Sequence, residues 1–247
     1  MRNHVLVRVG AAMAGLLCTI AAACAQGGGG KRGDGAAMNP NALTAAEQNE
    51  GWRLLFDGES TRGWRNYRQQ GMSAGWQVVE GALTRVAQAG DIITTDQFGD
   101  FELALEWMVA PGGNSGIFYR VSEDEEYPWQ TGPEMQVLDN ERHADGKSPL
   151  TSAGSLFALY PVPPGAARPA GQWNAVRVVV RGAHVEHWLN GTKVVDAELG
   201  SADWNARLAA SKFAPLERYG RNPRGHIGLQ DHGDRVSFRG IKIRALP

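Results

Sequence analysis

Asn190-Gly191 gives the chain its firmest local instruction. It joins two alternating runs, His184–Leu189 and Thr192–Val195. A type I′ turn needs positive φ at both central residues, which Asn followed by Gly accepts, so the segment predicts a tight hairpin. The same rhythm recurs elsewhere. Phe101, Leu103, Leu105 and Trp107 alternate with Glu102, Ala104 and Glu106. Val176, Val178 and Val180 share one face of a strand over 173–181, and 76–84 reads as a hairpin around Glu80-Gly81. Further short strands are predicted over 52–56, 91–95, 117–120, 134–138, 155–159, 225–230 and 236–244, with a turn over 111–116. Helical signals are few: a capping-box spacing from Thr44 to Glu47 and a short segment over 202–212. Many short strands separated by turn residues predict an all-β sandwich or barrel.

The front of the chain reads as a delivery signal. Arg2 and Arg8 precede an apolar run, Val9–Ile20, too short to span a bilayer comfortably. In Ala21-Ala22-Ala23-Cys24 the spacing resembles a lipobox, with Ala21 where Leu is commonest, and makes Cys24 a lipidated N-terminus. The competing reading, Ala23-Cys24-Ala25 as an A-x-A site, releases a soluble protein at Gln26. The lipoprotein reading is preferred, because the Gly-rich stretch 26–43 suits a flexible tether. The expected organisation is therefore a signal peptide over 1–25, a tether over 26–43 and one domain over 44–247. The expected location is exported, in the periplasm or cell envelope of a bacterium, with a lipid anchor as the membrane contact.

Both cysteines, Cys18 and Cys24, precede the domain. The domain thus has no disulfide, thiolate nucleophile or Cys-ligated metal. A formal net charge of −1 gives no reason to expect a nucleic-acid partner. Eight tryptophans and 32 glycines suit a turn-rich β domain with aromatic surfaces for sugars.

Chemistry concentrates on 134–138. Side chains alternate along a strand, so Glu134 and Gln136 share one face while Met135 and Val137 take the core. By the same parity Gln230 and His232 fall opposite Ile227 and Leu229, and Arg120 lies with Phe118. Three strands thus offer Arg120, Glu134, Gln136, Gln230 and His232 to one sheet face, with loops around Trp64, Trp129 and Tyr160 as walls. The plainer reading is a solvated sheet face. Parity keeps Asp139 off the face of Glu134, which disfavours a paired-carboxylate glycosidase. His143 reads as a surface residue. His184 and His187 differ in parity and form no metal pair.

Five blocks carry a resemblance. Gly-Asn-Ser-Gly-Ile at 113–117 with Arg120, Glu-Met-Gln-Val-Leu-Asp-Asn at 134–140, Gln-Trp-Asn-Ala-Val at 172–176, Trp-Leu-Asn-Gly at 188–191 and Gly-His-Ile-Gly-Leu-Gln-Asp-His-Gly at 225–233 resemble the 3-keto-disaccharide hydrolase domain family. Leu-Leu-Phe-Asp-Gly at 54–58 with Trp64 is also typical of it. The resemblance spans about 50–246, with Phe157 where the family often has Tyr. It implies a concanavalin-like (LamG-like) jelly-roll of two antiparallel sheets and exported bacterial proteins acting on 3-keto-glycosides. The implied chemistry is removal of the proton at C2, elimination of the C1 substituent and hydration. In that scheme Glu134 or His232 is the base or acid. Arg120 and Gln136 hold the ketone or enolate oxygen, Gln230 positions hydroxyls and Trp129 contacts the sugar. A divalent cation held by Glu134 and His232 could take over the enolate. The competing class is a non-catalytic carbohydrate-binding module of the same fold, which would have no need of Glu134 beside a cation and an imidazole.

Overall fold

The computed structural model describes residues 39–247. The signal peptide, the tether up to residue 38 and Cys24 lie outside the described residues.

The chain opens with α1 (Ala45–Asn49), where Thr44 and Glu47 form the expected capping box, and β1 (Arg53–Leu54). Then follow β2 (Trp64–Asn66), β3 (Trp76–Val79), β4 (Ala82–Arg85), β5 (Ile92–Thr94), β6 (Phe101–Val109), β7 (Asn114–Val121) and β8 (Glu134–Leu138). After a long connection come β9 (Asn174–Arg181), β10 (His184–Leu189), β11 (Thr192–Glu198), α2 (Ala202–Ala209), β12 (His226–Leu229) and β13 (Val236–Ala245). Asn190 and Gly191 adopt φ of 50° and 84°, and Glu80 and Gly81 adopt 51° and 73°, as two-residue I′ hairpins require.

The strands form two antiparallel sheets, the predicted all-β sandwich. The larger runs β11-β10-β9-β6-β13-β4-β3, with β1 also paired to β13; the smaller runs β2-β5-β12-β7-β8. Leu103, Leu105, Trp107, Val176, Val178 and Val180 of the larger sheet meet Ile117, Tyr119, Met135, Val137, Ile227 and Leu229 of the smaller in one buried core. His187 crosses this core. Its Nε2 lies 3.1 Å from the Tyr119 hydroxyl and its Nδ1 3.0 Å from the Gly154 carbonyl.

Four expectations need correction. Residues 39–43 are not all tether: Asn41 is buried, donates to the Gly81 carbonyl and accepts from the Gly240 N–H. The glycine-rich turn ends early, so Asn114, Ser115 and Gly116 already belong to β7. Residues 155–159 form no strand, although Leu156 bridges to Met135 and Tyr160. Trp64 starts a strand in the core and Tyr160 stacks on Trp204, so neither walls a sugar site.

Candidate active site

The two outer sheet faces differ in kind. On the larger sheet Glu102 pairs with Arg177 and Arg244, Glu106 pairs with Arg239, and Arg177 stacks on Trp188. That is an ordinary solvated face with its charges paired. The outer face of the smaller sheet instead carries a second apolar cluster, Tyr67, Ile93, Phe118 and Val121, with Trp129 packed against it. Glu134 stands directly across from Phe118 in the β7–β8 ladder. Its carboxyl therefore rests beside an apolar bed.

Gly116 sits at the middle of this face. It pairs with Gln136 on one side, and its carbonyl accepts from the Gln230 N–H on the other. A Cβ here would lie 2.2 Å from Glu134 Oε1, so only glycine lets the carboxyl fold over the strand. Asn114, two residues earlier on β7, projects to the same side. Around this floor a pocket of about 370 Å³ opens, lined by Asn114, Glu134, Gln136 and Gln230. Trp129, Asp145, Phe157, Lys212, Phe213 and His232 complete its walls and rim.

The long connection between β8 and β9 is held to the free edge of β8. Gly154 N–H donates to the Gln136 carbonyl, Gln136 N–H to Ser155, and Phe157 N–H to Glu134. These bonds cover an otherwise open sheet edge and fix Phe157 above Glu134. Thr151 Oγ1 holds the Asp145 carbonyl at 2.6 Å. On the opposite wall Phe213 stacks on Tyr219 at 4.3 Å, and Trp204 continues the stack to Tyr160. Lys212 rides on this aromatic column, its ammonium 4.4 Å from the Phe157 ring centre and 5.2 Å from that of Phe213.

Two polar atoms of the pocket lack protein partners among the described residues. Asn114 Oδ1 and Gln136 Oε1 are buried acceptors without a donor, while the Gln136 amide nitrogen is fixed by the Thr151 carbonyl. Buried polar atoms are rarely left so, and a ligand hydroxyl is the natural complement. Glu134 is 6% exposed. Burial pushes its carboxyl up from the ordinary 4.5 to about 8, with repulsion from Asp91 and Asp145 adding and Lys212 opposing. A buried carboxyl in a cleft, without a partner among the described residues and titrating near neutrality, is the profile of a proton-transfer group.

Of the six residues expected from sequence, Glu134, Gln136, Gln230, His232 and Trp129 line this pocket. Arg120 does not. Its φ of 53° turns it out of the strand's regular alternation. Its guanidinium instead ties Asp100, the Gly99 carbonyl and the Gly182 carbonyl. The register shift in β12 likewise takes His226 out of line, to the Thr94 carbonyl and Gln97. Asn114, Asp145, Lys212 and Phe213 were not expected. Asn114 was legible in principle, since it continues the parity of Gly116 and Phe118. Lys212 arrives through the packing of α2 and carries no local signal. His143 lies beside the rim, its ring edge-on to His232 at 6.1 Å.

For a metal, Glu134, Asn114 Oδ1 and Gln136 Oε1 are suitable hard oxygen donors and His232 is a borderline nitrogen donor. Lys212 faces the same carboxyl and already supplies positive charge there. Among the described residues a tighter ligand cluster, His184, Glu186 and Asp196, lies on the β10–β11 hairpin, where the Lys193 ammonium already pairs with both carboxylates.

The sequence profile of the 3-keto-alpha-glucoside-1,2-lyase-like domain matches residues 51–244. A 3-keto-disaccharide hydrolase of Bacteroides thetaiotaomicron is 35% identical over 229 residues, which is 80% of this chain and 79% of that protein. A solved structure from Parabacteroides distasonis, provisionally named a glycosyl hydrolase, is similar with a TM-score of 0.78 and 34% identity, covering 84% of this chain and 99% of that one. A second, so named and from the same organism, has a TM-score of 0.61 and 26% identity over 79% of this chain and 99% of that one. With the profile covering nearly the whole described domain, the chain belongs to the 3-keto-alpha-glucoside-1,2-lyase-like domain family.

Proposed function

We propose that this protein is a glycoside hydrolase that cleaves 3-keto-glycosides by elimination and hydration. The carrying observation is Glu134: buried, without a partner among the described residues, facing the pocket, with its carboxyl raised to about 8. The relative named a 3-keto-disaccharide hydrolase supports the substrate class. A module that only binds sugar has no use for a carboxyl held at this cost.

The ketone at C3 acidifies the C2 proton. The Glu134 carboxylate removes it, and the electron pair moves onto the ketone oxygen as an enolate. Lys212 lies where it can steady that oxygen, which transfers to Lys212 the role expected of Arg120, and Gln136 Oε1 accepts from a sugar hydroxyl. When the enolate collapses, the C1–oxygen bond breaks and the leaving oxygen takes the proton from Glu134. The enone then adds water at C1 and regains a proton at C2, so the net change is hydrolysis. Asn114 Oδ1 and Gln230 hold ring hydroxyls. His232, at the exposed rim, is placed to deliver water. Because the base must be ionised, kcat/KM rises with pH up to about 8.

The test is incubation with matched 3-keto and ordinary glucosides, with and without a chelator. Cleavage of the 3-keto substrate alone supports the reading. Cleavage of both at similar rates, or binding without cleavage, contradicts it. Loss of cleavage with chelator moves the enolate's charge partner from Lys212 to a cation held by Glu134 and His232. We also propose export with lipidation at Cys24. A mature N-terminus found unmodified at Gln26 would contradict the anchor.

A further inference from the structure

His187 is an imidazole in an apolar core. It belongs to β10 of the larger sheet, is fully buried, and takes part in no step of the proposed reaction. Its neighbours fix its tautomer. A carbonyl only accepts, so the Nδ1 that lies 3.0 Å from the Gly154 oxygen carries the proton. Burial holds the ring down at about 4, so at neutral pH Nε2 is bare and accepts from the Tyr119 hydroxyl, 3.1 Å away. Tyr119 thereby aims the one imidazole N–H at Gly154. A leucine would fill this place without burying polar atoms, so what the imidazole adds is the bond to Gly154.

Gly154 belongs to the connection between β8 and β9 that borders the pocket. Its φ is 91°, and a Cβ there would lie 3.1 Å from Leu189 Cδ2 and 3.3 Å from Val194 Cγ2. Glycine thus lets the connection come down onto β10 and β11, within reach of His187. From Gly154 the bonds turn back to β8. The Gly154 N–H donates to the Gln136 carbonyl at 2.8 Å, and the Gln136 N–H donates to the Ser155 carbonyl at 3.1 Å. On the same segment the Thr151 carbonyl accepts from Gln136 Nε2 at 3.2 Å. That bond decides which end of the amide faces the sugar: Nε2 is engaged, and Oε1 is the buried acceptor left open.

We propose that His187 is a positioning residue for the pocket: through Gly154 it seats the segment 151–155, and through the Thr151 carbonyl it keeps Gln136 Oε1 turned to the substrate. The inference rests on the reading of the pocket as the site for the 3-keto ring. Without the imidazole N–H the Gly154 carbonyl is buried with no donor, the segment shifts to find one, and the Gln136 amide is free to turn over. The larger sheet, none of whose strands lines the pocket, then helps to set how the pocket holds its sugar.

Variants at residue 187 separate this role from packing. His187→Leu keeps the bulk and removes both bonds. His187→Asn puts an amide nitrogen as many bonds from Cβ as Nδ1, and His187→Gln puts one at the place of Nε2. With methyl 3-keto-glucoside we expect His187→Leu to lose about tenfold in kcat/KM, mainly through KM, with most of it regained in His187→Asn and little in His187→Gln. In a Gln136→Met background, where no amide is left to position, His187→Leu should cost nothing further. The same loss in both backgrounds, or a lower melting temperature with kcat/KM unchanged, overturns the proposal. The side-chain amide NMR signal of Gln136, assigned by its absence from Gln136→Met, reads the positioning without turnover. It should move in His187→Leu and return in His187→Asn. Tyr119→Phe, which removes the hydroxyl that fixes the tautomer, should move it too, so the result does not depend on His187→Leu folding. A wild type that cleaves no 3-keto-glucoside removes the reaction, and a Gln136 signal unmoved by these variants overturns the positioning role.

Discussion

At the scale of single residues, burial and partnering separate structure from chemistry more sharply than residue type does. Arg120 and Glu134 are almost equally buried. Among the described residues Arg120 has three protein partners for its guanidinium, and Glu134 has none for its carboxyl. Arg120→Ala is therefore expected to destabilise the fold by about 2–4 kcal/mol, because Asp100 and two carbonyls lose their donor. Chemical denaturation reads that loss, and kcat per folded molecule should stay near wild type. A large fall in kcat with stability unchanged would return Arg120 to the site. Sequence parity placed Glu134 and Gln136 correctly because β8 is regular from Glu134 to Leu138. It misplaced Arg120 because a positive φ at a non-glycine residue breaks the alternation, and nothing in Phe118-Tyr119-Arg120-Val121 announces that break.

Elements set the site's geometry through the strand pairings around Gly116. The ladder puts Gln136 beside it, Glu134 over it and Gln230 across from it. Gly116→Ala adds one methyl where the carboxyl lies. We expect kcat to fall at least tenfold, with a far smaller effect on thermal stability, since Glu134 can swing toward the open pocket. Retained activity would show that the carboxyl does not act from this position. The hairpins at Glu80-Gly81 and Asn190-Gly191 and the long alternation of β6 were legible because local turn chemistry and pattern agree there. The connection from residue 139 to 173 was not. It forms no strand, yet its backbone bonds to β8 bring Phe157 and Asp145 to the pocket. Those bonds are long-range, and a sequence window does not contain them.

For the whole molecule, the site leaves a mark on stability. Between the ordinary 4.5 and about 8, folded Glu134 keeps a proton that the unfolded chain releases. Stability therefore falls as pH rises through that window, by up to about 1.4 kcal/mol per unit. Asp91 acts in the same direction from the ordinary 3.8 to about 6. Buried His187, held down at about 4, acts in the opposite direction: the unfolded chain binds the extra proton below 6.5, so stability rises with pH between 4 and 6.5. Above pH 6.5 only Glu134 of these three still titrates. Melting temperatures from pH 6.5 to 8 should therefore decline in the wild type and stay flat in Glu134→Gln. Parallel curves would mean that Glu134 has no raised pKa. The composition could foretell a β-sandwich with no disulfide, but not this tension, which comes from placing a carboxyl on the apolar bed of Phe118.

The central claim is that Glu134 removes the proton at C2 of a 3-keto sugar. It is tested most directly by comparing a 3-keto-glucoside carrying deuterium at C2 with its protium form, in the wild type and in Glu134→Gln. The account predicts a several-fold slower wild-type kcat/KM for the deuterated substrate, and loss of cleavage in a folded Glu134→Gln. Equal rates for the two isotopes, with Glu134→Gln still active, would contradict it.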